Sequence, residues 1–212
     1  MTFEEFLSRY QAVPVIESSS FGLTAANPNQ LRFQVSQWRK KGYLHALKRG
    51  TYVLDARFRK AEPSPLFIAN YLLVPSYLSV EYALSHYSLI PERAVAYTSV
   101  TTKRTRRFDN VMGSFAYRTV KPPLFFGYAP MQADGQEFLI ALPEKALLDF
   151  LYLNSGALSA DAAQIESLRL QNLDSLDAAR LERFAEPYTR KVQRMATLVR
   201  DLAGAAEREA RA

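Results

Sequence analysis

NQLRFQVSQWRKKGYLHALKRGTYVL, residues 29–54, is the stretch on which the reading of the fold turns. Leu31, Val35 and Trp38 stand at i, i+4 and i+7, so one face of a helix over 29–41 is apolar and can seat on a small core. At about 100° per residue, Asn29, Arg32, Ser36, Gln37 and Lys40 fall on the opposite arc. Side chains of these types donate to or accept from base edges and phosphates. Phe33 stands amid this polar arc, and two roles are open to it: packing against a preceding helix, or contact with a thymine methyl.

Gly42 ends the helix, because glycine takes the left-handed conformation of the residue just past a helix end without steric cost. Beyond it, 43–47 and 51–54 are short β-prone runs separated by Lys48-Arg49-Gly50, which predicts a hairpin with a basic tip. Helix, glycine and basic hairpin follow one another in the order of a winged helix-turn-helix. From Ser18 to Leu54 there is no Asp or Glu, while Arg32, Arg39, Lys40, Lys41, Lys48 and Arg49 are all present. A surface of one sign suits a polyanion, and double-stranded DNA is the partner this arrangement predicts, with Asn29, Arg32, Ser36, Gln37, Lys40, Lys41, Lys48 and Arg49 as contacts. An amphipathic helix with a basic outer face also serves many proteins simply as a solvated helix.

Upstream, 2–11 carries Phe3, Phe6, Leu7 and Tyr10 as a helical stripe, and 15–20 is expected to form a short second helix before a turn-rich 21–28. Together these supply the three-helix base of a winged domain over residues 1–60. The charged, twice proline-punctuated segment 57–65 marks the junction to a second domain, 61–212. There, helices are expected over 66–73 and, capped by Ser79, through Tyr87. Strands follow at 94–101, 114–120, 124–128 and 138–142. Pro143 then opens a helix, PEKALLDFLYL, and a helical tail with a cap at Ser175 closes the chain, fraying from Glu207. The expected class is α+β: a winged helix-turn-helix followed by a mixed α/β domain with a small antiparallel or mixed sheet and helical tail.

With 212 residues, 48% of them apolar, the chain is long enough for one large or two ordinary domains with a substantial core. The net charge of +6 agrees in sign with a polyanionic partner. Cysteine is absent, which excludes disulfides and thiolate metal sites and fits a reducing cytoplasm. The start, Met1-Thr2-Phe3-Glu4-Glu5, lacks the basic and apolar regions of an export signal. The most apolar run, 66–78, is too short to span a bilayer and is broken by Asn70 and Pro75, so no membrane association is expected.

Catalytic chemistry is sparse. His45 and His86 stand apart from any carboxylate spacing that resembles a metal site, and no cofactor or metal is expected. Glu144, Lys145 and Asp149 resemble the acidic and lysine groups of a nuclease in type only. Lys145 and Asp149 are spaced i, i+4 and are more simply an ion pair, and such charges ordinarily lie on solvated surface. A second basic group, Lys103, Arg104, Arg106 and Arg107, is expected to project from one turn between strands, where it keeps a sheet end soluble or attracts phosphate or an acidic protein.

Three segments, RKKGYLHALKRGTYVL at 39–54, SYLSVEYALSHYSLIPE at 76–92 and ALPEKALLDFLYL at 141–153, resemble the AbiEi antitoxin family of type IV toxin–antitoxin systems. The resemblance implies a bifunctional protein. Its winged domain would bind inverted repeats in the promoter of its own operon and repress it, with Arg32, Ser36, Gln37 and Lys40 on the recognition helix and Lys48 and Arg49 at the wing tip. Its second domain would neutralise a nucleotidyltransferase-like toxin without needing a stable complex with it. Two competing readings are a transcriptional regulator whose second domain senses a ligand or partner, and a nuclease-like enzyme using Glu144, Lys145 and Asp149.

Overall fold

Two apolar clusters organise the protein, and a three-stranded sheet lies between them. The structure is a computed structural model that describes residues 1–24 and 26–210, without the side chains of 24 and 206–210. Of the end expected to fray from Glu207, the backbone is helical to Ala210, and Arg211 and Ala212 lie outside the described residues.

Helix α1 (Phe3–Tyr10) starts at a reciprocal cap: Glu5 N donates to Thr2 Oγ1 (3.2 Å) and Thr2 N donates to Glu5 Oε2 (2.8 Å). Strand β1 (Ile16–Glu17), a single 3-10 turn (Ser18–Ser20) and α2 (Phe21–Thr24) follow. This corrects the helix expected over 15–20. Val15 packs into the larger cluster and Ile16 into the smaller one, and such alternation to opposite sides is a strand property. The long helix α3 (Pro28–Lys40) is capped by Asn27 Oδ1, which accepts from Gln30 N at 3.1 Å. It ends in a Schellman turn: Gly42, at φ +71, donates to Arg39 O, and Tyr43 N donates to Trp38 O at 2.9 Å. Leu31, Val35 and Trp38 are buried as expected, with Phe6, Tyr10, Ile16, Phe21, Leu44 and Leu54 completing the smaller core.

Strands β2 (Leu44–Lys48) and β3 (Thr51–Leu54) form the expected hairpin, with Leu44 opposite Leu54 and a register shift between Ala46 and Lys48. β1 pairs antiparallel on the other side of β3. One face of this sheet seals the smaller core, while Val15, Leu47 and Val53 belong to the larger one.

The remainder is built on a six-stranded mixed sheet. After α4 (Pro65–Leu72) come β4 (Ser76–Leu78), α5 (Val80–His86), β5 (Tyr97–Thr101), β6 (Arg106–Asn110), β7 (Gly113–Thr119), β8 (Tyr128–Ala133) and β9 (Gln136–Ala141). The strand order is β6-β7-β5-β4-β9-β8, with β5 parallel to β7, β4 parallel to β9 and the other pairs antiparallel. Helices α6 (Pro143–Leu153), α7 (Ala162–Ser167), α8 (Ala178–Ala185) and α9 (Arg190–Ala210) complete the described chain. The class is therefore α+β with a mixed sheet. Of the strand expected at 124–128, Leu124 closes a 3-10 turn (Pro122–Leu124), 125–127 are irregular with Gly127 at φ +70, a conformation foreign to a strand, and only Tyr128 belongs to β8. Asp177, not Ser175, caps α8, accepting from Arg180 N at 2.9 Å. Among the described residues, no helix is long and apolar enough to cross a membrane.

The edge strand β6 of the larger sheet packs beside β2, the edge of the smaller one. Asn110 Nδ2 donates to Leu47 O at 3.2 Å, so two edges that would otherwise offer unpaired backbone cover one another.

Candidate nucleic-acid interface and a buried ionic cluster

The outward face of α3 carries Asn29, Arg32, Phe33, Ser36 and Lys40 exposed, with Gln37 half-buried beside them. Asn29 Oδ1 accepts from Arg32 Nη1 at 3.0 Å, which steadies the guanidinium one turn above the helix start. Phe33 is 65% exposed, so it does not serve as a core residue. Lys41 is exposed at the C-terminal end, where a cation is favoured by the helix dipole. Arg39 lies over the Tyr52 ring at 5.7 Å, which ties the helix to β3.

The first carboxylate after the acid-free stretch is Asp55, and it is fully engaged. Its Oδ2 is 2.9 Å from His45 Nε2, and its Oδ1 accepts from Arg57 Nε at 2.6 Å and Arg57 N at 3.2 Å. These bonds, His45 first and Arg57 next, hold the Asp55 carboxyl well below the usual range. Arg57 also donates to Gly42 O at 3.2 Å, clamping the end of β3 to the end of α3. His45 is thus part of a structural clamp.

At the hairpin tip the expectation divides. Arg49 is exposed, but Lys48 is not a free wing-tip cation. Its ammonium donates to Leu72 O at 3.1 Å and lies 5.9 Å from the Tyr71 ring centre, because the tip leans on α4. The second basic group is also rearranged. Lys103 and Arg104 lie in a turn, whereas Arg106 and Arg107 open β6 opposite Tyr117 and Ala116. Neighbours in a strand point to opposite faces, so the four do not project together. Arg107 is further held by Asp109 at 3.0 Å.

Glu144, Lys145 and Asp149 are the clearest departure from the sequence reading. Lys145 and Asp149 are ion-paired, as their spacing predicts, but they are wholly buried (0% exposed), with Glu144 at 1%. Asp149 Oδ2 accepts from Tyr77 Oη (2.9 Å) and Ser79 Oγ (2.8 Å), and Oδ1 accepts from Tyr188 Oη (3.1 Å) and from Lys145 Nζ. Lys145 donates as well to Tyr77 Oη at 2.8 Å, and the rings of Tyr77, Phe126 and Tyr188 surround its ammonium. Ser79 stands at the start of α5 as expected, yet its hydroxyl serves Asp149 rather than the helix end. Gly127 comes so close that an added Cβ would lie 2.9 Å from the Phe184 ring and 3.1 Å from Lys145 Cγ. Burial lowers the Lys145 pKa against the pull of Asp149, and burial, reinforced by the Asp149 charge, raises the Tyr77 and Tyr188 hydroxyls far above their usual value. Glu144 accepts from Asp177 N at 2.8 Å and stands 3.5 Å from Arg180, joining α6 to α8. This cluster stitches β4, α5, α6 and the segment before α9 together from inside.

No protein-family model matches the chain, and neither does any curated protein. Among the described residues, no three His, Asp or Glu side chains gather as metal ligands would.

Proposed function

We propose that this protein binds double-stranded DNA and that the outward face of α3 reads it. The part comprising α1, α2, α3 and the β2–β3 hairpin is then a winged helix-turn-helix. The observation that carries this reading is the composition of one exposed surface: Asn29, Arg32, Ser36 and Lys40 lie on a single helix face, and no acidic residue occurs from 18 to 54. In the duplex, α3 enters the major groove, and Arg49 and Lys41 meet flanking phosphates. Lys48 is withdrawn from this set, since its ammonium holds the hairpin to α4.

The resemblance to the AbiEi antitoxins extends the proposal to autoregulation of an antitoxin–toxin operon, with a nucleotidyltransferase-like toxin as functional partner and the cytoplasm as the place of action. A regulator with a ligand-sensing second part stands beside it. The nuclease reading is disfavoured by burial, since a substrate has no path to Glu144, Lys145 or Asp149 without opening the core. The test is a mobility shift of the full chain on the DNA upstream of its own gene, together with co-expression of the neighbouring gene. A shift that Arg32→Ala abolishes, with rescue of growth from a toxic neighbour, supports the antitoxin. A shift without rescue supports the regulator, and no shift refutes the DNA-binding reading.

A further inference from the structure

Beside α3 lies a cleft of about 440 Å³ whose far wall comes from the other sheet. Ser36, Arg39 and Lys40 line it from α3, the β2 residues 44–46 line it between, and Asn110 and Val111 line it from the β6–β7 turn. No carboxylate lines it: the nearby Asp109 is paired with Arg107, and Asp55, behind the lining His45, is held by His45 and Arg57. The turn is firmly placed: Asn110 donates to Leu47 O and accepts from Met112 N at 2.9 Å. Val111 is left 59% exposed at its apex. At the β2–β3 tip Lys48 is engaged by Leu72 O, which leaves Arg49 as the exposed cation there for a flanking phosphate.

We infer that the β6–β7 turn is a second DNA-contacting element, which holds the duplex backbone in the cleft between itself and α3. This rests on the DNA-binding reading above. A backbone passing across the outward face of α3 on its Ser36 and Arg39 side enters the cleft, where those side chains, with Lys40, supply a hydroxyl and two cations for phosphate. The apex at Val111 closes the cleft from the side away from the helix. The larger sheet thereby sets the position of the duplex, and residues far from α3 in sequence become part of the interface.

The experiment measures binding of a labelled duplex by the full chain across a salt series. Val111→Glu places a negative charge at the apex and is expected to weaken binding about tenfold or more. Val111→Lys is expected to tighten it and to steepen the salt dependence by about 0.9 in the slope of log K against log salt, as for one added phosphate contact. Met131→Glu, on the opposite edge strand five strand spacings or roughly 24 Å away, adds the same charge and is expected to change binding little. Both positions of change are exposed, and unchanged thermal melting confirms that the fold is retained. If Arg32→Ala weakens binding while both Val111 variants bind as the native chain does, the turn stands clear of DNA and the inference is overturned. Equal losses for Val111→Glu and Met131→Glu overturn it too, since net charge alone then explains the effect. If the native chain binds no duplex, the reading on which the inference rests falls with it.

Discussion

Replacing Asp149 by Ala removes the acceptor for four buried donors at once: Tyr77, Ser79 and Tyr188 hydroxyls and the Lys145 ammonium. Breaking a buried pair by deleting one partner costs about 3–5 kcal/mol, chiefly because the surviving charge stays buried without compensation. Here Lys145 retains only Tyr77 Oη and the ring faces, so the upper half of that range, about 4–5 kcal/mol, is expected. Lys145→Met is milder, about 2–3 kcal/mol, because Asp149 keeps three hydroxyl donors. The two changes are in contact and are therefore not additive, and the double variant is expected to recover about 1–3 kcal/mol relative to the sum of the singles. Urea unfolding followed by circular dichroism gives each value. A cost below about 1 kcal/mol for Asp149→Ala, or no coupling in the double variant, would refute the claim that this cluster holds the larger body together.

Trp38 is buried against Phe3 and Phe6, with ring centres at 5.3 and 5.0 Å, so Trp38→Ala is expected to cost about 3–5 kcal/mol, and the emission of the native residue should be blue-shifted and resist quenching. The Asp55 carboxyl is depressed in the fold, so its contribution is complete above the unfolded value of 3.8 and is lost as pH falls through the folded value. The acid limb of the stability profile should accordingly be shallower in Asp55→Asn, and identical limbs would remove the clamp from the account. A fragment of residues 1–60 uncovers Val15, Leu47 and Val53 and frees Lys48, so it should self-associate or melt well below the full chain. A monomeric fragment as stable as the whole would contradict a sheet shared by two cores.

Local signals carried much of this structure. The apolar spacing of Leu31, Val35 and Trp38, the glycine at 42 and the basic hairpin each act within a few residues, and α3, its Schellman end and β2–β3 lie where they predict. The buried state of Lys145 and Asp149 was illegible because their i, i+4 spacing is that of an ordinary surface pair. What encloses them are partners 39 to 72 residues away, Tyr77, Ser79 and Tyr188. Strand β6 was missed for a similar reason: RRFDN has weak β character, and its place is set by pairing with β7. Lys48 shows the same limit, since the carbonyl that takes its charge belongs to Leu72. Nothing near Ser36 in the sequence signals that Val111 stands across a cleft from it.

The central claim is that the outward face of α3 reads duplex DNA. It is tested most directly by incubating the full chain with a pool of random-sequence duplexes, recovering the bound fraction and sequencing it over successive rounds. The account predicts a defined enriched site whose enrichment is lost or changed in Arg32→Ala and Gln37→Ala, each lost base contact being worth about 1–3 kcal/mol of discrimination. A bound pool indistinguishable from the input, or an enriched site untouched by either substitution, would contradict it.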